Sequence, residues 1–205
     1  MKYIKTFEEY SEEYSFLYKK INEKKGDSYD YGCVMLYFEF PSLKGIQSDI
    51  TQDDLYTEEN DRSYGFEDEP HVTLLYGLHK EVTIEDVLEK IKPYRYDDLL
   101  LTNISAFENQ KYDVLKFNVV YPTRGGSYLK QADKALTELP HTTDFPDYHA
   151  HSTVAYLKPG KAKKYIEQFK GTEHIVKPSK IVYSMASGEK IVKEINNSKY
   201  ISYNQ

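Results

Sequence analysis

The sequence predicts an α+β fold of one domain in two lobes, and three observations predict it. Short aromatic or β-branched runs alternate with segments of helical periodicity along the 205 residues. Two of the runs, "HVTLLYG" at 71–77 and "HSTVAYL" at 151–157, carry a histidine and a threonine two positions apart. The order of elements around them repeats weakly between the halves of the chain: strand, histidine strand, helix and strands, then helix, histidine strand, helix and strands.

From Thr6 to about Lys25, the residues Phe7, Tyr10, Tyr14, Leu17, Tyr18 and Ile21 recur at helical spacing, with "KKGDSYDYG" as the exit. Residues 1–31 are therefore expected as an N-terminal helical extension and 32–205 as the two lobes. "CVMLYFEF", closed by Pro41, reads as a strand, and the acidic stretch 53–69 as a surface loop or lid. After the first histidine strand, Thr83 and Asp86 have capping-box spacing ahead of an apolar stripe of Ile84, Val87, Leu88 and Ile91. Residues 99–107 and 112–120 read as two strands joined by the turn "ENQK". In the second strand Val114, Lys116 and Asn118 alternate with Leu115, Phe117 and Val119. A helix is expected from about Ser127 to Leu139. Another should follow the second histidine strand in "PGKAKKYIEQF", with Tyr165, Ile166 and Phe169 inward and Lys158, Lys161, Lys163 and Lys164 as a solvated face. "SKIVYSMASGEKIVKEI" reads as a hairpin turning at Ser187 and Gly188.

Composition narrows the function. A formal charge of −6 argues against a protein that grips long nucleic acid through its phosphates, while leaving a small phosphate-bearing ligand open. A single cysteine, Cys33, rules out a disulfide framework and favours a reducing compartment; its apolar surroundings suit core packing. "MKYIKTFEEYSEEYS" lacks a signal-peptide core and no segment has the length and apolarity of a membrane span, so a cytoplasmic location is expected. Tyrosine is abundant at 21 residues and tryptophan absent; tyrosines serve equally as base-stacking platforms and as core residues.

In a strand, side chains two apart share a face, so His71 projects with Thr73 and His151 with Thr153. Brought together about a pseudo-twofold axis, the pairs surround one centre with two imidazoles and two hydroxyls. One neutral imidazole can take a proton while the other, protonated, gives one to a departing oxygen. The hydroxyls can donate to non-bridging phosphate oxygens. That chemistry suits a phosphodiester and needs no metal or other cofactor.

These motifs resemble the 2H phosphoesterase superfamily, whose members include bacterial RNA 2′,3′-cyclic phosphodiesterases, also called 2′-5′ RNA ligase-like proteins, and phage enzymes that destroy cyclic-oligonucleotide defence signals. "HVTLLYG" matches the family pattern of histidine, hydrophobic residue, threonine and apolar residues; "HSTVAYL" departs from it at Ser152. The resemblance covers about residues 32–196. It implies a bilobal, pseudo-twofold fold with antiparallel sheets lining a central groove and helices outside. It also implies a hydrolase acting on cyclic or short oligonucleotides, with His71, Thr73, His151 and Thr153 catalytic. The acidic charge leans toward a small cyclic messenger of antiphage signalling over an RNA terminus. "MKYIKTFEEY" resembles the starts of many tailed-phage proteins, which would place the protein in a host cytoplasm.

Further candidates accompany the motif pairs. Arg124, beside Gly125 and Gly126, is placed either to contact phosphate or to serve loop and cap chemistry. Tyr76, Tyr156 and Tyr183, on expected strands, are candidates for stacking on a base or for the core. Phe66, with Tyr64 and Gly65, either closes over a nucleotide or belongs to a plain surface loop. "HTT" at His141 also fits the motif but follows Pro140 in an expected loop, a chance match. Two alternatives stay open. One is a metal site in which His149 and His151 are completed by Asp144, Asp147 or His71. The other is a binding module that sequesters a nucleotide without cleaving it.

Overall fold

The computed structural model describes residues 18–21, 30–59, 61, 63–121, 128–143 and 147–195. In chain order these form β1 (Tyr18–Ile21), β2 (Gly32–Phe38), α1 (Leu43–Ser48), a 3-10 turn (Gln52–Asp54) and β3 (His71–Leu78). Then come α2 (Ile84–Ile91), β4 (Leu99–Glu108), β5 (Asp113–Val120), α3 (Tyr128–Leu136) and β6 (His151–Leu157). The chain continues through α4 (Ala162–Gln168), β7 (His174–Val176), β8 (Pro178–Ser184) and β9 (Lys190–Glu194). Among the described residues the strands make two sheets, in the orders β1-β9-β8-β2-β3 and β6-β5-β4-β7. All pairings are antiparallel.

Local chemistry explains the boundaries. The Thr83 hydroxyl accepts from the Asp86 N–H and the Asp86 carboxylate accepts from the Thr83 N–H, closing a capping box that starts α2. Val87 and Ile91 of the expected stripe are buried. Asn109 shapes the β4–β5 turn, its side-chain oxygen accepting from the N–H groups of Lys111 and Tyr112 at 2.8 and 3.0 Å. The β8–β9 hairpin turns at Gly188, which takes φ +80° as the turn requires.

One core joins both sheets to the helices. Val72, Leu74 and Leu78 of β3, Leu115 and Phe117 of β5 and Val154 and Leu157 of β6 are buried with Val87 of α2, Leu129 of α3 and Tyr165 of α4. Each strand in this set turns its apolar face to the helices and its other face to a groove, the division that antiparallel sheets favour.

Several expectations need correction. Tyr18–Ile21, inside the expected opening helix, pairs as a strand with β9, whose free edge offers backbone partners to an extended segment; the rest of that helix lies outside the described residues. The lobes are not the chain halves, because the C-terminal hairpin β8–β9 returns to the sheet that holds β2 and β3. The acidic stretch 53–69, expected as a surface loop or lid, is held by its described residues against β6. The Tyr56 N–H donates to the Tyr156 carbonyl, the Tyr156 N–H to the Gly65 carbonyl and the Glu67 N–H to the Val154 carbonyl, so it covers the open edge of β6. Cys33 packs as expected, half-buried, against a second, smaller buried cluster of Met35, Tyr37, Val182 and Val192 on the groove face of its sheet. Of the lysines near α4, Lys161 and Lys164 pair with the buried Asp54, and Lys158 donates to the Asp53 carbonyl at 2.6 Å.

Candidate active site

Strands β3 and β6 are the inner edges of the two sheets, and their backbones approach within 8 Å between Cα atoms. The Tyr148 hydroxyl, from the segment entering β6, donates to the Thr73 carbonyl at 3.0 Å and ties the two strands together. His71, Thr73, His151 and Thr153 are all half-buried, while Val72, Ser152, Leu74 and Val154 between and after them are buried on the opposite face. The unusual Ser152 thus faces the core, 1% exposed.

The two imidazoles are fixed in the same way. His71 Nδ1 lies 2.7 Å from the Glu69 carbonyl oxygen and His151 Nδ1 lies 2.7 Å from the His149 carbonyl oxygen. A carbonyl only accepts, so each Nδ1 carries the proton, and in the neutral ring each Nε2 has the lone pair that can take one.

Both strands carry a one-residue bulge just after the threonine. In β3, Thr73 opposes Met35 and Leu75 opposes Val34, leaving Leu74 as the extra residue. In β6, Thr153 opposes Lys116 and Ala155 opposes Leu115, leaving Val154 extra. A bulge reverses the side-chain parity beyond it. Tyr76 and Tyr156, three residues past the threonines, therefore return to the groove face, opposite Cys33 and Val114. Tyr76 is 49% exposed, the accessible ring that a stacking role needs.

The surroundings of the two histidines differ. His71 stacks on Tyr37 at 5.3 Å between ring centroids, and Glu67 Oε2 stands 3.9 Å from its Nδ1. His151 meets the edge of Phe107 at 4.9 Å and has Asn118 directly across the ladder, with Lys116 across from Thr153. Burial holds the His151 pKa below the ordinary histidine value, and the positive charges of Lys116 and His71 lower it further against the opposing hydrogen bond to His149.

Sequence reasoning missed Tyr37, Glu67, Phe107, Lys116, Asn118 and Tyr148 as site residues. The alternation that put Lys116 and Asn118 on one face of β5 was visible; the register that sets them against Thr153 and His151 was not. Other candidates fall elsewhere. Tyr183 is 1% exposed on the core face, opposite Val34, its hydroxyl donating to the Val82 carbonyl at 2.9 Å, so it does not line the groove. Phe66 is half-buried against the core, in a bridge to Ala155. Arg124 lies outside the described residues. Tyr64 packs with Tyr56, Tyr112 and Tyr156 at centroid distances of 5.0–5.3 Å. His141 forms an isolated bridge to Leu78 and is no part of a motif strand. Among the described residues no three His, Cys, Asp or Glu side chains are grouped to hold a metal ion. Nor is any helix among them long and apolar enough to cross a membrane.

No family model matches the sequence, and no curated protein does. Solved structures do match. Kluyveromyces marxianus Usb1 aligns with 82% of this chain and 99% of its own, at 10% identity and a TM-score of 0.50. The same protein with uridine monophosphate covers 82% and 100%, at 10% identity and a TM-score of 0.53. The chain has a 2H phosphoesterase-like fold. E. coli LigT complexed with 3'-AMP aligns over 81% of this chain and 96% of its own, at 16% identity and a TM-score of 0.40. In the 2H phosphoesterase-like fold seen here the expected architecture holds: two antiparallel sheets face a groove, with the helices packed outside.

Proposed function

We propose that this protein is a metal-independent phosphodiesterase acting on cyclic or short oligonucleotides, with His71 and His151 as its acid–base pair. The observation that carries this reading is the matched anchoring of the two rings through Nδ1, each on the same strand face as a threonine, on the neighbouring edge strands of the two sheets. His151 is the base, because burial and the nearby ammonium of Lys116 favour its neutral form. His71, the other member of the pair, is then the acid, with the Glu67 carboxylate 3.9 Å from its Nδ1.

His151 Nε2 takes the proton of a water or a neighbouring ribose hydroxyl as that oxygen attacks phosphorus. The bond to the leaving oxygen breaks, and His71 Nε2–H supplies its proton. Thr73 and Thr153 donate to the non-bridging oxygens, where charge gathers in the transition state. Tyr76 and Tyr156 flank the centre as stacking surfaces for a base.

The charge of −6 favours a small messenger over a long nucleic acid, and a cyclic oligonucleotide of antiphage signalling, degraded in a host cytoplasm, is the leading substrate class. An RNA terminus bearing a 2′,3′-cyclic phosphate is the second reading; Usb1, of the same fold, was solved with uridine monophosphate. Incubation with a panel of cyclic oligonucleotides and 2′,3′-cyclic-phosphate RNA in EDTA, followed by chromatography with mass detection, separates them. Turnover of the cyclic messenger supports the first, turnover of the RNA end alone the second. Stoichiometric binding without turnover would make the protein a nucleotide sponge.

A further inference from the structure

Lys116 is 6% exposed on the groove face of β5, directly across the ladder from Thr153. Its Nζ contacts the Asn118 side-chain oxygen at 2.7 Å and lies 4.4 Å over the centroid of the Phe107 ring. Both contacts favour a cation, yet neither carries a negative charge. Among the described residues no carboxylate is paired with it. A buried ammonium without a counter-charge is expensive, and burial holds the Lys116 pKa below the ordinary lysine value, a penalty that an anion arriving beside it would relieve. Its neighbours in the ladder, Thr153 and Asn118, with His151 beyond, already present hydroxyl, amide and imidazole groups to the same space.

The matching positions on the other sheet hold no such group. Across from Thr73 stands Met35, and across from His71 stands Tyr37. Lys180 lies one strand further out, 5.1 Å over the Tyr37 ring. The pseudo-twofold arrangement of histidines and threonines is thus broken by one buried charge.

We propose that Lys116 is the phosphate anchor of the groove: a cation paired only when a phosphoryl group binds, seating that group on the Thr153 side. This rests on the phosphodiester reading of the site and adds its electrostatic direction. Asn118 and the Phe107 ring position the ammonium, whose proton stays in place throughout; it forms and breaks no bond.

The test compares wild type with Lys116→Met and Lys116→Arg in three measurements: melting temperature without ligand, calorimetric affinity for adenosine 3′-monophosphate and for adenosine, and turnover. An apolar side chain of similar length removes the buried charge, so Lys116→Met should melt no lower than wild type. It should bind the monophosphate at least about tenfold more weakly, leave adenosine affinity unchanged, and lose on the order of a hundredfold in turnover. Lys116→Arg should keep part of the monophosphate affinity. Monophosphate binding equal to wild type in Lys116→Met overturns the proposal, as does equal loss of adenosine binding with a lowered melting temperature, the mark of a structural lysine. If the wild-type protein cleaves nothing, the phosphodiesterase reading fails, while the affinities still judge Lys116.

Discussion

His71 and His151 are held by one and the same bond: each ring donates from Nδ1 to the carbonyl two residues before it, at 2.7 Å in both. That repetition gives the two strand histidines the same tautomer, with the proton on Nδ1, and on the proposed reading makes them a matched pair of proton carriers.

Replacing either ring should therefore remove catalysis without removing the fold. His71→Ala and His151→Ala each lose on the order of a hundred- to ten-thousand-fold in kcat, with melting temperatures close to wild type because both rings are half-buried on the groove face. Steady-state kinetics beside thermal melts check this.

The rate should follow a bell in pH whose acid limb belongs to His151. Its pKa is lowered from 6.5 by burial and by the charges of Lys116 and His71, so the base stays neutral to a lower pH than an ordinary histidine. The same shift acts on stability. A depressed folded value means stability is present above pH 6.5 and is lost as pH falls through the folded value. In melts from pH 7 to 5, His151→Ala should lose less stability than wild type.

Thr73→Val and Thr153→Val keep the shape of each side chain and delete its donor. Each should lower kcat by roughly ten- to a hundredfold with a smaller change in KM, as expected for groups that bind the transition state more tightly than the substrate.

Asp54 fastens the 3-10 turn to α4. Its carboxylate pairs with Lys164, accepts from the Tyr165 hydroxyl at 2.7 Å and stands 3.4 Å from Lys161, contacts that hold its pKa down to about 2. A depressed carboxylate stabilises the fold above its ordinary value of 3.8 and loses that contribution as pH falls toward 2. Asp54→Asn should lower the melting temperature at pH 7, by on the order of 2–4 °C for each kcal/mol lost, and the gap to wild type should narrow below pH 4.

Gly77, next to last in the first motif strand, takes φ +108°, and a Cβ there would stand 1.9 Å from the Thr142 carbonyl oxygen. Gly77→Ala should destabilise by more than the roughly 1–3 kcal/mol of a strained backbone, because the Thr142 main chain must also move. Denaturant unfolding measures it.

What was legible in the sequence was local. Capping at Thr83, the turn at Asn109 and the alternation of β5 are set by neighbours a few positions apart, and each reappears in the structure. The two motifs were legible because a polar pair on one face of an apolar strand needs a reason. The remainder depends on register and on long-range pairing. Lys116 becomes a site residue only once β5 is set against β6, and Tyr148 only once its hydroxyl reaches Thr73, 75 positions away. The fate of 53–69 was hidden for the same reason: its backbone is satisfied by the edge of β6, which local composition does not reveal.

The central claim is that two metal-free imidazoles cleave a phosphodiester in this groove. The most direct measurement is mass-resolved turnover of the cyclic-oligonucleotide and RNA-end panel in EDTA, by wild type and by the His71→Ala/His151→Ala protein side by side. Multiple turnover by wild type and none by the double variant is the predicted result. Equal turnover by both, or turnover by wild type only after zinc or manganese is restored, would contradict it.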